Sequence, residues 1–237
     1  MSASIGWQRL SLAAIAASLI PMAASPASAF SFSRGGTSVP GQGQFSSVSG
    51  VTTIDFESGA PTSGFATYST ANGPNPILSG AGSFRPMADN ASHFLSVAPT
   101  SGGLDNPTTI EFAEKLDYFG LYWGSTGWYD SIEFYNGSTQ VASFTGEDVS
   151  GIPGVSGNWT DPEYNMYVNF FAETGESFDK IVLNATHIAF ETDNHAYRVA
   201  AVPEPSAVLG LLGLGAIAAG SLKKRQEKSS NSVAKNA

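Results

Sequence analysis

The sequence predicts an all-β protein, a jelly-roll-like antiparallel β-sandwich flanked by an N-terminal signal peptide and a C-terminal single transmembrane helix. Three observations carry this. From 51 to 201, about ten short runs of β-branched and aromatic residues are punctuated by Gly, Pro, Asn, Asp and Ser. No stretch of that body shows a convincing helical period. The long apolar segments lie at the two ends of the chain, outside the body.

Taken in order, residues 1–29 read as a signal peptide. Arg9 supplies the positive start, Leu10 to Ala24 is mostly apolar, and Ala27-Ser28-Ala29 is a small-residue cleavage site. Residues 30–50 are rich in Ser and Gly, which predicts a flexible leader with room for a short first strand. The body, 51–201, then runs VTTIDFE, HFLSVA, TTIEFA, DYFGLYWG, SIEFYN, TQVASFTG, MYVNFFAE, DKIVLN, HIAFET and HAYRVA. In SIEFYN, Ile132 and Phe134 face one way and Ser131, Glu133 and Tyr135 the other. Asn136-Gly137 then predicts a type I′ hairpin turn. Leu116 to Trp123 is apolar on both faces, as a central strand is. Glu147 to Ser150 suits a single helical turn.

The chain has no cysteine, which excludes thiolate metal sites and a cysteine nucleophile. From Phe30 to Val202 it carries five basic residues against eighteen acidic, a net charge of −13. Such a surface repels nucleic acid and suits divalent cations or neutral partners such as sugars.

The C-terminal end has its own physics. Pro203 and Pro205 lack backbone N–H groups and hold the chain extended. Residues 207–222 carry no charge. As a helix this run spans about 24 Å at about 1.5 Å per residue, close to a bilayer core of roughly 30 Å. Lys223, Lys224 and Arg225 follow and place that end in the cytoplasm. Pro203-Glu204-Pro205, the apolar run and the basic cluster together resemble the PEP-CTERM sorting domain, also known as the ice-binding protein C-terminal domain, over 202–228. A polar tail, 229–237, follows. The resemblance implies a Gram-negative exporter, processing by a membrane exosortase, anchoring in the inner membrane in transit, and delivery to the cell surface or extracellular matrix. It implies nothing about ice, since the body has no regular Thr-rich repeat.

Two candidate sites lie in the body. The end of the body, with its Asp193-Asn194 pair, resembles the ending common in PEP-CTERM surface proteins. Ile54-Asp55-Phe56-Glu57 resembles the first strand of secreted carbohydrate-binding jelly-rolls, in which first and last strands are neighbours. That arrangement makes Asp55, Glu57 and Asp193 candidate ligands for a shared Ca²⁺, with ordinary solvent-facing acids as the alternative. Trp128, Tyr129 and Trp159 fall in loops rich in Gly, Asn and Asp, a composition that suits stacking on sugars. Trp123, at a strand end, reads as core.

Catalytic signatures are missing: there is no G-x-S-x-G, no H-E-x-x-H and no P-loop, and His93, His187 and His195 are scattered. The expectation is a non-enzymatic surface protein that binds exopolysaccharide. The alternative is a secreted carbohydrate-active hydrolase on the same fold.

Overall fold

The structure is a computed structural model describing residues 30–71, 73, 77–79, 87–99 and 106–201. Among them the strands are β1 (Phe30–Arg34), β2 (Thr37–Val39), β3 (Gly43–Phe45), β4 (Thr52–Ile54), β5 (Ala66–Ser69), β6 (Ile77–Ser79), β7 (His93–Val97), β8 (Thr108–Gly124), β9 (Asp130–Asn136), β10 (Thr139–Thr145), β11 (Met166–Ala172), β12 (Phe178–Ala185) and β13 (Phe190–Val199). Eleven of them share one antiparallel hydrogen-bonded network, and β2 pairs with β3 separately. This is the expected all-β sandwich.

Strand β8 organises both layers. Its first part pairs with β12 and β5, and β12 carries β9 and then β10. Its second part lies between β11 and β13, with β1 beyond β11 and β7, β6 and β4 reached through β13. The register slips opposite residues 112–115, where the strand passes from one layer to the other. The core between the layers takes Ile110, Ile132, Phe134, Ile181 and Leu183 from one side and Leu121, Trp123, Val168, Phe170 and Phe190 from the other. TTIEFA and DYFGLYWG are thus one strand, and the apolar character of Leu116 to Trp123 on both faces reflects its central place.

The leader contains the short first strand and is more ordered than its composition suggests. Phe30 and Phe32 alternate with serines, and β1 pairs with β11 in register. The Phe30 ring sits 5.1 Å from Phe134 and 5.5 Å from Phe178, and Phe32 sits 5.4 Å from Phe144. Burial of two rings outweighs the entropy of ordering a Ser-rich segment. Residues beyond β1 lie over the outer face of β8. There Gly43, at φ +71°, would place a Cβ 2.5 Å from the Tyr122 ring, so only glycine lets the chain approach so closely.

The hairpin after β9 differs from expectation. Asn136 pairs with Thr139, so the central residues are Gly137 and Ser138, and only Gly137 has positive φ, at 60°. That is the II′ pattern, with glycine in the first central position, rather than I′. The helical turn is present as α1 (Gly146–Ser150), closed by a capping box between Thr145 and Asp148. The expected signal peptide, 1–29, and the tail from 202 onward lie outside the described residues, and no helix among the described residues is long and apolar enough to cross a membrane.

Candidate functional site

Three loops meet at one end of the sandwich. The first, 125–129, leaves β8. Asp130 closes it: its Oδ2 accepts the Gly127 N–H at 2.9 Å, and its own N–H donates to the Gly127 carbonyl. The second is 155–165. The Trp128 N–H donates to the Val155 carbonyl at 2.7 Å, and Gly127 bridges Ser156. The third, 186–189, precedes β13, and the Thr186 N–H donates to the Tyr129 carbonyl.

Asn165, buried at the start of β11, ties this end together. Its Oδ1 accepts N–H groups from Ser125 and Ala88, and its Nδ2 donates to the carbonyls of Asn158 and Asp161. One amide therefore holds loops from three parts of the chain, with all its capacity directed at backbone.

The loops enclose a cleft of about 190 Å³. Tyr129, Trp159 and Ile188 form its apolar wall. Ser125, Ser156, Asn158 and Glu191 supply polar groups. Trp159 also borders a second depression with Gly41, Asn90 and Thr160, so it stands between two hollows. Trp128 packs edge-on to Tyr129 at 5.7 Å and to His187 at 4.9 Å. Trp128, Trp159 and Ile188 remain 47%, 41% and 49% exposed, although apolar side chains of that size are usually covered. The structure places Tyr129 and Trp159 in one cleft with Trp128 packed on Tyr129, while Trp123 is core.

Acidic groups back the cleft. Burial pushes the fully buried Asp130 carboxyl well above the usual carboxylate range, and the nearby Glu191 adds to the effect. Burial, with the charges of Asp130 and Glu191, pushes the Tyr129 phenol up to about 12. An anion entering here meets Glu191 and gains no compensating cation from the described lining residues.

The proposed calcium ligands do not converge. Strand β4 does pair with β13, opposite His195, so the expected neighbouring of the two strands is correct. Asp55, however, accepts the Glu57 N–H. Glu57 uses one carboxylate oxygen on the His93 N–H at 2.9 Å and the other on His93 Nδ1 at 3.0 Å. The backbone bond, then the ring, holds its carboxyl below the ordinary value. Asp193 is buried and accepts Asn90 Nδ2 at 2.6 Å, Ser92 Oγ at 3.2 Å and the Asn194 N–H at 2.6 Å. Among the described residues no three His, Asp or Glu side chains form a group suited to a metal. The physical reason is strand geometry: Asp193 precedes a bulge at Asn194, φ 49°, and turns toward the 90–92 loop.

Burial lifts Asp193 to about 7 despite those donors. Two residues on, His195 is also buried, and burial drops it to about 3. It lies between Tyr68 Oη at 2.9 Å and Thr192 Oγ1 at 2.7 Å, a core histidine with both nitrogens occupied.

Asn165, Glu191 and Ile188 were not legible in the sequence as site residues. The Asn165 role depends on three distant backbones, and HIAFET reads as strand throughout. Only Asp130, three residues after Gly127 at a strand start, carries a local turn signal.

Residues 201–225 match the PEP-CTERM protein-sorting motif. The chain carries that motif. It directs exosortase-dependent sorting to the cell surface, so the body is exported and exosortase is its processing partner. Pro203, Glu204, Pro205 and the basic Lys223, Lys224 and Arg225 fall within the PEP-CTERM match, beyond the described residues. No curated protein and no solved structure matches the chain.

Proposed function

We propose that the sorted protein binds neutral or weakly acidic exopolysaccharide through the cleft of Tyr129 and Trp159, with Trp128 extending the platform, and leaves the polymer uncut. One observation carries this reading. Among the described residues four large apolar side chains are exposed; two of them, Trp159 and Ile188, line this cleft, and a third, Trp128, packs edge-on against its Tyr129. Aromatic faces beside Asn and Ser groups suit sugar rings, which present apolar faces and hydroxyl edges. The acidic backing and the net charge of −13 favour uncharged chains over strongly anionic ones. A glycoside hydrolase needs two carboxylates facing across the cleft. Among the described residues Glu191 is the only carboxylate in the lining, and the fully buried Asp130 lies behind it, which favours binding over cleavage.

The apolar run 207–222 is proposed to hold the chain in the inner membrane until exosortase acts. The test of the cleft is retardation of the purified protein in gels containing neutral polysaccharide. Trp159→Ala abolishes retardation and Trp128→Ala weakens it. Because stacking carries the affinity, retardation persists in raised salt, where charge contacts fade. Retardation of both variants at the wild-type level refutes the platform, and release of shortened glycan refutes the non-enzymatic reading.

A further inference from the structure

The cleft and the sorting motif lie at opposite ends of one strand. Ile188 and Ala189, just before β13, and Glu191, at its start, line the cleft. At its other end Val199 pairs with Leu116, and the Ala200 N–H donates to the Lys115 carbonyl at 2.9 Å. Ala200 and Ala201 there border a groove of about 640 Å³ with Lys115, Asp117, Glu176 and Arg198. Both cations at this end are paired, Lys115 with Asp179 at 2.6 Å and Arg198 with Asp117 at 2.8 Å. The motif begins at residue 201, so no spacer separates it from the folded body.

We infer that the tethered protein holds its groove end nearer the membrane than its aromatic cleft. This rests on the reading above that residues 207–222 anchor the chain. Residues 202–206 then form the whole tether, and five residues reach about 17 Å at full extension. From Glu191 to Ala200 the strand covers about 30 Å, at roughly 3.3 Å per residue. To turn the cleft to the membrane, the groove end would have to rise by about the length of β13, farther than the tether allows. The acidic body is also repelled by an anionic bilayer surface, which favours standing away from it. Two consequences follow. The cleft takes glycan while the protein is still anchored. Exosortase, working on Pro203 to Pro205, approaches the groove end and does not compete with that glycan.

The absence of native cysteine makes the test direct. Thr174→Cys, in the groove lining, and Ser156→Cys, in the cleft lining, each give a single labelling site. The full chain, exported in a host lacking exosortase, is labelled with a donor dye. It is then reconstituted into phosphatidylcholine vesicles that carry acceptor on the headgroups. Energy transfer from Thr174→Cys exceeds that from Ser156→Cys several-fold. Equal or reversed transfer in chains that float with the vesicles overturns the orientation while leaving the anchor standing. Chains that do not float overturn the anchor, and the orientation with it. Neither outcome depends on glycan binding.

Discussion

The two faces of the layer around β8 and β13 bury aromatic rings in opposite ways. Inward, Phe119, Trp123, Phe170 and Phe190 pack against the second layer, and Trp123 lies over Phe190 at 4.4 Å. Outward, the same strands present Tyr118, Tyr122 and Tyr167. The Tyr118 hydroxyl bonds Asn169 Oδ1 at 2.8 Å and Ser46 Oγ at 2.6 Å. Tyr122 donates to the Ala88 carbonyl at 2.6 Å, and Tyr167 to the Asn194 carbonyl at 2.9 Å. The difference follows from what covers each face. A second sheet has already spent its backbone groups on its own ladders, so it offers only apolar surface. Ser46, the 87–92 loop and the bulge at Asn194 bring a hydroxyl and carbonyls outside any ladder, and a buried polar group needs a partner. The Tyr-Phe alternation along Tyr118-Phe119 and Tyr122-Trp123 matches these two covers.

The comparison breaks most severely on the inward face. Phe134 meets Phe30, Phe144, Phe170 and Phe178 at 5.0 to 6.2 Å between ring centres. Phe134→Ala leaves a cavity among rigid rings and costs about 3–5 kcal/mol in urea unfolding. A loss below 1 kcal/mol would mean that the two layers are not closely packed there.

The next effect lies on β13 and is read from pH. Asp193 is raised to about 7 in the fold, so it contributes stability at low pH that is lost as pH rises through 7. His195 is lowered to about 3, so its contribution is present above about 6.5 and is lost as pH falls toward 3. The two slopes oppose each other. Relative to wild type, Asp193→Asn gains about 1.4 kcal/mol per pH unit between about pH 4 and pH 7. His195→Gln loses a similar amount per unit over about pH 3 to 6.5. Parallel stability–pH curves for wild type and Asp193→Asn would remove Asp193 from the buried network.

The outward face responds least. Tyr118→Phe keeps the ring and deletes the hydroxyl bonds to Asn169 and Ser46, a loss of about 1 kcal/mol. The Phe134→Ala loss therefore exceeds it several-fold. Equal losses would show that the outer cover is as tightly packed as the core between the layers, and the contrast between the two faces would disappear.

Much of the fold was legible because strands announce themselves locally. Ile132 and Phe134 alternate with polar neighbours, and β9 lies where that alternation places it. The short first strand of the leader was legible only as a possibility, because FSFSR carries the same alternation inside a Ser- and Gly-rich stretch, and composition masked the period. The cleft was half legible. Trp128 and Tyr129 are adjacent in a turn, but Trp159 joins them only because Asn165 holds loops separated by tens of residues. The calcium reading found neighbouring strands, while the partners that Asp193 takes at Asn90 and Ser92 and Glu57 takes at His93 leave no composition signal.

By itself the sequence determined the address and the class. The PEP-CTERM motif is contiguous, so its Pro-Glu-Pro, apolar run and basic cluster are read in order without any fold. Strand alternation is likewise a property of consecutive residues. Tertiary structure alone decided that Asp193 is an internal hydrogen-bond acceptor, that Trp159 shares a cleft with Tyr129, and that cleft and motif occupy opposite ends of β13. Each of these depends on contacts between residues far apart in the chain. Such contacts form only when the burial of many apolar groups outweighs the entropy of closing long loops, a balance that no short stretch of sequence contains.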